Sequence, residues 1–247
     1  MRVAVISDIH GNDLAFDAVE ADIQKKQAVD QIVCLGDAVQ GGPQPAEVVQ
    51  RLRRWNCPVV MGNADAWLVT GKETADEGIP PERLKQMEEI RKWSLSRLTE
   101  DDINFISSFQ PTVTIPLEDN LELLCFHGSP ASFDDVILPA MPEAGFQKFL
   151  GADADRILTG GHTHSQQIRR NGDYFFFNPG SIGFAYRHNQ PNDQFSADPW
   201  AEYATLCMKN GSISVEFHRV PFDAKALIGI YRQSGRPFAE EASAQYQ

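Results

Sequence analysis

Short apolar runs alternate with amphipathic helical stretches over the first sixty residues. Val3-Ala4-Val5-Ile6, Ile32-Val33-Cys34-Leu35 and Val59-Val60-Met61 are β-prone and bounded by polar, proline or glycine positions. Between the first two runs, Asn12 and Asp13 can cap a helix whose apolar positions are Leu14, Phe16, Ala18, Val19 and Ile23. After a turn at Gly41-Gly42-Pro43, a helix near 44–55 places Val48, Val49, Leu52 and Trp55 on one side, and a strand over 58–61 closes the unit. This strand–helix order predicts a doubly wound sheet, in which ligands gather at the carboxyl ends of the strands.

The rhythm breaks over residues 66–110. The segment from Glu82 to Phe109 is charged and helix-prone, with Leu84, Met87, Ile90, Leu95 and Leu98 available for one face. Leu98-Thr99-Glu100-Asp101-Asp102 reads as a cap that opens another short helix. The stretch is a small helical insert beside the site, serving either as a lid or as plain packing. Strands dominate afterwards, at 112–116, 121–126, 155–159, 173–178, 202–208 and 212–219, with a helix near 143–150 among them. Asn171-Gly172 and Asn210-Gly211 are hairpin turns. A last helix over 223–233 completes a single domain, 1–233, and the tail 234–247 is expected to fray.

The strand ends carry the chemistry. Five short motifs follow apolar strands: Asp8-Ile9-His10, Gly36-Asp37, Gly62-Asn63, His127-Gly128 and Gly161-His162-Thr163-His164. Carboxylates and imidazoles delivered repeatedly to one sheet edge are what a cluster of divalent cations needs. Asp37 can share its two oxygens between two ions, Asn63 offers an amide oxygen, and His127, His162 and His164 offer nitrogens. A mixed nitrogen and oxygen set without thiolate suits Mn²⁺, Fe²⁺, Zn²⁺, Co²⁺ or Ni²⁺. Two such ions about 3.5–4 Å apart would clamp a hydroxide between them for in-line attack on phosphorus. His188 and His218 fall outside the pattern and read as surface or strand histidines.

Bulk composition narrows the partners. The 247 residues carry a formal net charge of −12, so the overall field repels polyanions and unselective nucleic-acid or anionic-membrane binding is not expected. A small phosphorylated or nucleotide-like substrate remains compatible, because bound cations reverse the local sign. No apolar stretch is long enough to span a bilayer. Cys34, Cys57, Cys125 and Cys207 lie far apart without CxxC spacing and read as structural thiols of a reducing, cytoplasmic setting.

The five motifs, followed by Asn178-Pro179-Gly180-Ser181, resemble the calcineurin-like metallophosphoesterases, and in particular their small prokaryotic phosphodiesterase/phosphatase branch. The resemblance implies an α/β (α+β) fold, a four-layer α/β/β/α sandwich of two mixed sheets, with two divalent transition-metal ions, Mn²⁺ first among them. It implies that Asp8, His10, Asp37 and His164 hold one metal, and that Asp37, Asn63, His127 and His162 hold the other. The Asn178 segment would be a structural turn, and Arg187 a contact for the substrate phosphate. Many family members carry a proton-donating histidine directly after Gly-Asn. Here Ala64 stands there, followed by Asp65, which becomes the candidate general acid. Gly36-Asp37 leads into Ala38-Val39-Gln40-Gly41-Gly42 and lacks the Asp-Arg-Gly of the Ser/Thr protein phosphatases, which disfavours that activity. A catalytically silent interaction scaffold on the same fold is the further alternative; degraded ligands would be its mark, and all seven positions retain theirs.

Overall fold

Alternation along β1 (Arg2–Ile6) sends Val3 and Val5 to one face and Ala4 and Ile6 to the other, and all four are buried. A strand covered on both sides needs packed layers above and below it. The computed structural model, which describes residues 1–26, 29–72, 79–153, 155–191, 195–209 and 211–247, shows what those layers are.

The first sheet is four-stranded, with β1 parallel to β2 (Gln31–Cys34) on one side and antiparallel to β8 (Trp200–Lys209) on the other. Outermost is β9 (Ser212–Pro221), antiparallel to β8. The second sheet has five strands in the order β3 (Val113–Pro116), β4 (Glu122–Cys125), β5 (Ile157–Thr159), β7 (Tyr174–Asn178) and β6 (Gln167–Asn171). In it β4, β5 and β7 run parallel, and both edge strands are antiparallel.

Period-two alternation assigns each side chain to a layer. Val3, Val5, Val33 and Leu35 of the first sheet meet Leu123, Cys125, Ile157 and Phe177 of the second in one apolar cluster between the sheets. On the outer face of the first sheet, Ala4, Ile6 and Cys34 pack with Phe16 and Val19 of α1 (Asp13–Lys26) and Val48, Val49 and Leu52 of α2 (Pro45–Trp55). On the outer face of the second, Leu124, Phe126, Leu158 and Phe176 pack with Phe146 and Leu150 of α6 (Glu143–Leu150). These are the four layers, α/β/β/α. Each fully buried Phe contributes about 1.5–3 kcal/mol of burial energy. Arg51 on α2 reaches back to α1, with Nε 2.7 Å from Asp13 Oδ1 and Nη1 against Glu20, which fixes the helical layer laterally.

The helical insert forms α3 (Asn63–Thr70), α4 (Pro81–Ser96) and α5 (Glu100–Ser107); residues 73–78 of it lie outside the described residues. At α5, Thr99 and Asp102 make the reciprocal cap that the sequence indicates. Among the described residues, no helix is long and apolar enough to cross a membrane. All four cysteines are free thiols.

Three expectations are corrected. The strand at 58–61 reduces to isolated bridges, Val59 to Cys34 and Val60 to Gln110, because α3 begins at Asn63 and ends the pairing. Strand β6 was not expected: Gln167-Ile168-Arg169-Arg170-Asn171 has no apolar run, since it is an edge strand with Ile168 54% exposed, and its hairpin register to β7 organises it. Asn210 of the other expected hairpin lies outside the described residues, although Lys209 and Ser212 pair as that turn requires. Thirdly, the segment 234–247 is not frayed. It carries α8 (Ala239–Ala244) after α7 (Ala224–Ser234), and Tyr246 is buried with Leu227 and Tyr231. The Tyr246 hydroxyl donates to the Gly183 carbonyl at 2.6 Å, which ties the chain end to the loop after β7.

That anchoring is measurable. Tyr246→Phe leaves the Gly183 carbonyl with its second donor, Asn12 Nδ2, so it should cost only about 1 kcal/mol. Tyr246→Ala also removes the buried ring and should cost about 3–5 kcal/mol. Urea unfolding reads both, and an unchanged midpoint in Tyr246→Ala would contradict the packed chain end.

Candidate metal centre

Parallel pairing brings the carboxyl ends of β1 and β2 to one edge, and the chain stays paired beyond them. The amide of Asp8 donates to Gly36 O (3.0 Å), that of His10 to Asp37 O (2.9 Å) and that of Gly11 to Ala38 O (2.9 Å). In the second sheet the Phe126 amide donates to Thr159 O and the Gly161 amide to His127 O. The two edges then cross-link: His162 N donates to Asp8 Oδ2 (3.1 Å), and His127 Nδ1 bonds Leu35 O (2.8 Å).

Such close approach requires glycine at the crossings. A Cβ at Gly62 would collide with the backbone and carboxylate of Asp37, and one at Gly161 with the Ser7 hydroxyl. The donor residues themselves bend sharply. Asp8, His10, Asp37, His162 and His164 all have positive φ, between 47° and 66°. This left-handed backbone is uncommon outside glycine and concentrates at functional sites.

The structure gathers six donors into two groups, Asp8 with His10 and His164, and Asp37 with His127 and His162. Asn63, the first residue of α3, adds its Oδ1 at 3.0 Å from His127 Nε2. Asp37 Oδ2 faces both groups, 3.4 Å from His127 Nε2 and 3.8 Å from His10 Nε2. Its other oxygen accepts the Ala64 amide at 2.8 Å.

The arrangement is unsatisfied without a cation. His10 Nδ1 faces Gln40 O (3.0 Å) and His164 Nδ1 faces Phe184 O (2.6 Å). A carbonyl only accepts, so each Nδ1 carries a proton, and each Nε2 offers a lone pair whenever its ring is neutral. The two Nε2 atoms lie 3.1 Å apart. Beside them the Asp8 Oδ1 is buried with no hydrogen-bond donor, 3.3 Å from His164 Nε2. Burial opposes a proton on His164 and Asp8 favours it, so without metal a proton is favoured where a cation would sit. Lone pairs converging on one point fit a divalent ion, which these residues would hold with nitrogen and oxygen donors.

The charges reinforce one another. Burial opposes ionisation of Asp37, but the facing His127, with His10 and His162, holds it well below the usual carboxylate range. Burial likewise opposes the charge on Asp8, and His164 overrides it, so Asp8 is lowered too. Burial also opposes protonation of His127, yet Asp37 and then Asp8 push it up to about 9. Burial depresses His10 and His162.

Two further expectations change. Asp65 is fully buried and does not face the cavity: Oδ2 accepts the Ala38 amide (2.9 Å) and Oδ1 the Val39 amide (3.0 Å). Burial and then the Asp37 charge raise it to about 7. It therefore shapes the loop after Asp37 and stands apart from any leaving group. Arg187 is exposed, and its charge acts on Asp198 rather than on the donor groups. The Asn178 segment is the structural turn expected, with Asn178 Nδ2 on Gly161 O (2.7 Å) and Ser181 Oγ on Asp8 O (2.8 Å). A cavity of about 500 Å³ adjoins the donors, lined by His10, Asp37, His162 and His164 together with Arg83 and Arg236. Neither arginine sits in a motif, so nothing in the local sequence marks them.

Asp65→Asn would set an amide NH₂ against one of two backbone donors, costing about 1–3 kcal/mol of stability. Its fractional rate loss should be the same for ester substrates with leaving groups of differing pKa; a loss that grows with leaving-group pKa would restore Asp65 as the acid. His127 gives a second test. Its folded value lies above the ordinary 6.5, so in the metal-free protein its stabilising contribution is complete below pH 6.5 and disappears as pH rises through about 9. Metal must displace that proton, so affinity measured by chelator competition should tighten up to about tenfold per pH unit across this window. A flat profile would contradict the assignment.

The sequence pattern of the calcineurin-like phosphoesterase superfamily domain matches residues 1–196. An uncharacterised protein of Methanocaldococcus jannaschii is 27% identical over 241 residues, covering 90% of this chain and 88% of that one. Among solved structures, a metallophosphoesterase from Sphaerobacter thermophilus is similar with a TM-score of 0.73 and 24% identity, covering 99% of this chain and 97% of that one. A hypothetical protein from Pyrococcus horikoshii OT3 superimposes with a TM-score of 0.81 at 20% identity, covering 100% and 98%. Both structures share the fold, and the matched domain contains all seven donors: the chain belongs to the calcineurin-like phosphoesterase superfamily.

Proposed function

We propose that the protein is a binuclear metal-dependent phosphoesterase that hydrolyses phosphodiesters or activated phosphomonoesters of small substrates in the cytoplasm. The observation that carries this reading is Asp37, whose Oδ2 lies between the two donor groups and can serve both. Divalent ions held there, Mn²⁺ foremost, would supply Lewis acidity toward the phosphoryl oxygens and lower the pKa of water.

The chain's own residues do the rest. Nδ1 contacts to Gln40, Leu35 and Phe184 fix the orientation of three imidazoles, so their Nε2 atoms are aimed before any ligand arrives. The Ala64 amide fixes the rotation of the Asp37 carboxylate. The adjoining cavity gives a small ester direct access to His10, Asp37, His162 and His164. With Ala64 after Asn63, and Asp65 enclosed, these positions offer no proton donor to the leaving oxygen. Such donation is worth about 10²–10⁴-fold, so substrates with good leaving groups are favoured.

The test is hydrolysis of bis-p-nitrophenyl phosphate against p-nitrophenyl phosphate by metal-stripped protein refilled with Mn²⁺, Ni²⁺, Zn²⁺ or Mg²⁺. Metal-dependent turnover, faster on the diester, is expected. Asp37→Ala should lose both ions by elemental analysis, and its kcat should fall by at least about 10³-fold. Absence of turnover with every metal, or an Asp37→Ala protein that holds two ions and works, would overturn the reading.

A further inference from the structure

Part of the cavity lining is built by chain beyond the family-matched residues. Tyr231, Arg236, Phe238 and Tyr246 belong to it, whereas the match ends at residue 196. Arg236 is half-buried and firmly held. Its Nε donates to the Gly41 carbonyl at 2.6 Å, in the loop that follows Asp37, and its Nη1 donates to Pro237 O at 2.8 Å. The guanidinium lies over the Tyr231 ring, 5.7 Å from its centroid.

All these partners are carbonyls or a ring, so none neutralises the charge. Among the described residues, no carboxylate forms an ion pair with Arg236 or with Arg83, which lines the same cavity from the first turn of α4. Glu241 also lines the cavity, but beyond ion-pair distance of either guanidinium. Burial and the neighbouring Arg83 charge both disfavour protonated Arg236, while Tyr231, Tyr246 and Glu241 favour it. A protein of net charge −12 thus directs two cations that form no ion pair among the described residues into one cavity, which its donor groups also line. Two guanidiniums lining one cavity match the geometry and charge of a phosphate.

Another part of the lining is aromatic, and it adjoins the C-terminal part where the Phe184 and Tyr246 rings lie 6.2 Å apart. Phe184, Tyr186 and Phe195 line the cavity and contact one another, with ring centroids 5.8 Å (Phe184–Tyr186) and 5.1 Å (Tyr186–Phe195) apart. Tyr186 also touches the His164 ring at 5.5 Å, which makes the aromatic wall continuous with the donors. Aromatic faces of this kind take planar bases by stacking, and a volume of about 500 Å³ accommodates a nucleotide.

We propose that Arg236 and Arg83 form an anion subsite for a second phosphate of the substrate, with its base on the Tyr186–Phe195 wall, which makes nucleotides bearing more than one phosphate the substrate class. This deepens the phosphoesterase reading and rests on it for the hydrolytic step only. The anion subsite itself needs no metal. It assigns the choice of substrate to the C-terminal segment and the insert, and the chemistry to the strand ends.

The experiment is calorimetric binding of ADP, AMP and adenosine to the metal-stripped full chain in chelator. ADP should bind tightest and adenosine weakest. Arg236→Gln should weaken ADP at least about tenfold and abolish its advantage over AMP, and Arg83→Gln, at an exposed position, should give a smaller loss in the same direction. Urea unfolding checks that Arg236→Gln remains folded; should it not, Arg83→Gln alone decides. Equal ADP affinity in wild type and in the folded variants, or no ADP binding by wild type, would overturn the proposal. Arginine-dependent ADP binding in a protein that hydrolyses no ester with any metal would sustain the subsite and sink the hydrolase. Ester hydrolysis with arginine-independent ADP binding would do the reverse.

Discussion

Everything at the site follows from electron pairs forced to converge. His10 and His164 bring their Nε2 atoms to 3.1 Å from each other, and the Asp8 oxygen beside them makes no hydrogen bond. A buried acceptor without a partner costs about 1–3 kcal/mol, more when it is charged. Five donor residues add left-handed backbone, at roughly 1 kcal/mol each. Against a usual stability of about 5–15 kcal/mol, this is a substantial local debt. The layers of buried side chains around the site must hold it, and bound cations would relieve it.

The two sheets hold it because their strand ends interlock. Hydrogen bonds between the β1 and β2 extensions continue past the strands, and His127 and His162 of the second sheet bond to Leu35 and Asp8 of the first. No donor group belongs to a single sheet. The apolar cluster between the sheets, from Val3 and Leu35 to Leu123 and Phe177, therefore sets the distance between ligands as well as the stability of the fold. Asp65 acts at the same level: it fixes the loop after Asp37 through two amides, without touching the cavity.

The candidate donors and much of the cavity lining come from different parts of the chain. The candidate donors lie within the family-matched residues, at strand ends. The cavity beside them is finished by α4, the loop after β7 and the packed C-terminal segment. Such a division lets the walls change while the reacting centre stays constant, as folds that host many substrates do.

Period-two alternation with both faces apolar made β1, β2 and β4 legible, and glycine-flanked Asp, Asn and His residues after apolar runs made the seven candidate donors legible, because local pattern and local chemistry coincide there. Strand β6 escaped because an exposed polar edge strand is specified by its partner rather than by its own residues. The expectations for Asp65 and Arg187 changed for a related reason: a carboxylate two residues from a candidate ligand turns inward to backbone amides, and an arginine six residues after the Asn178–Ser181 turn is exposed. Arg236 lies 195 residues from the carbonyl that positions it, and no local spacing encodes a contact of that separation. The sequence alone determined which side chains are candidate metal donors. Tertiary structure decided which of them lie together, which acid faces the cavity and which cations line it, because those depend on packing between segments distant in the chain.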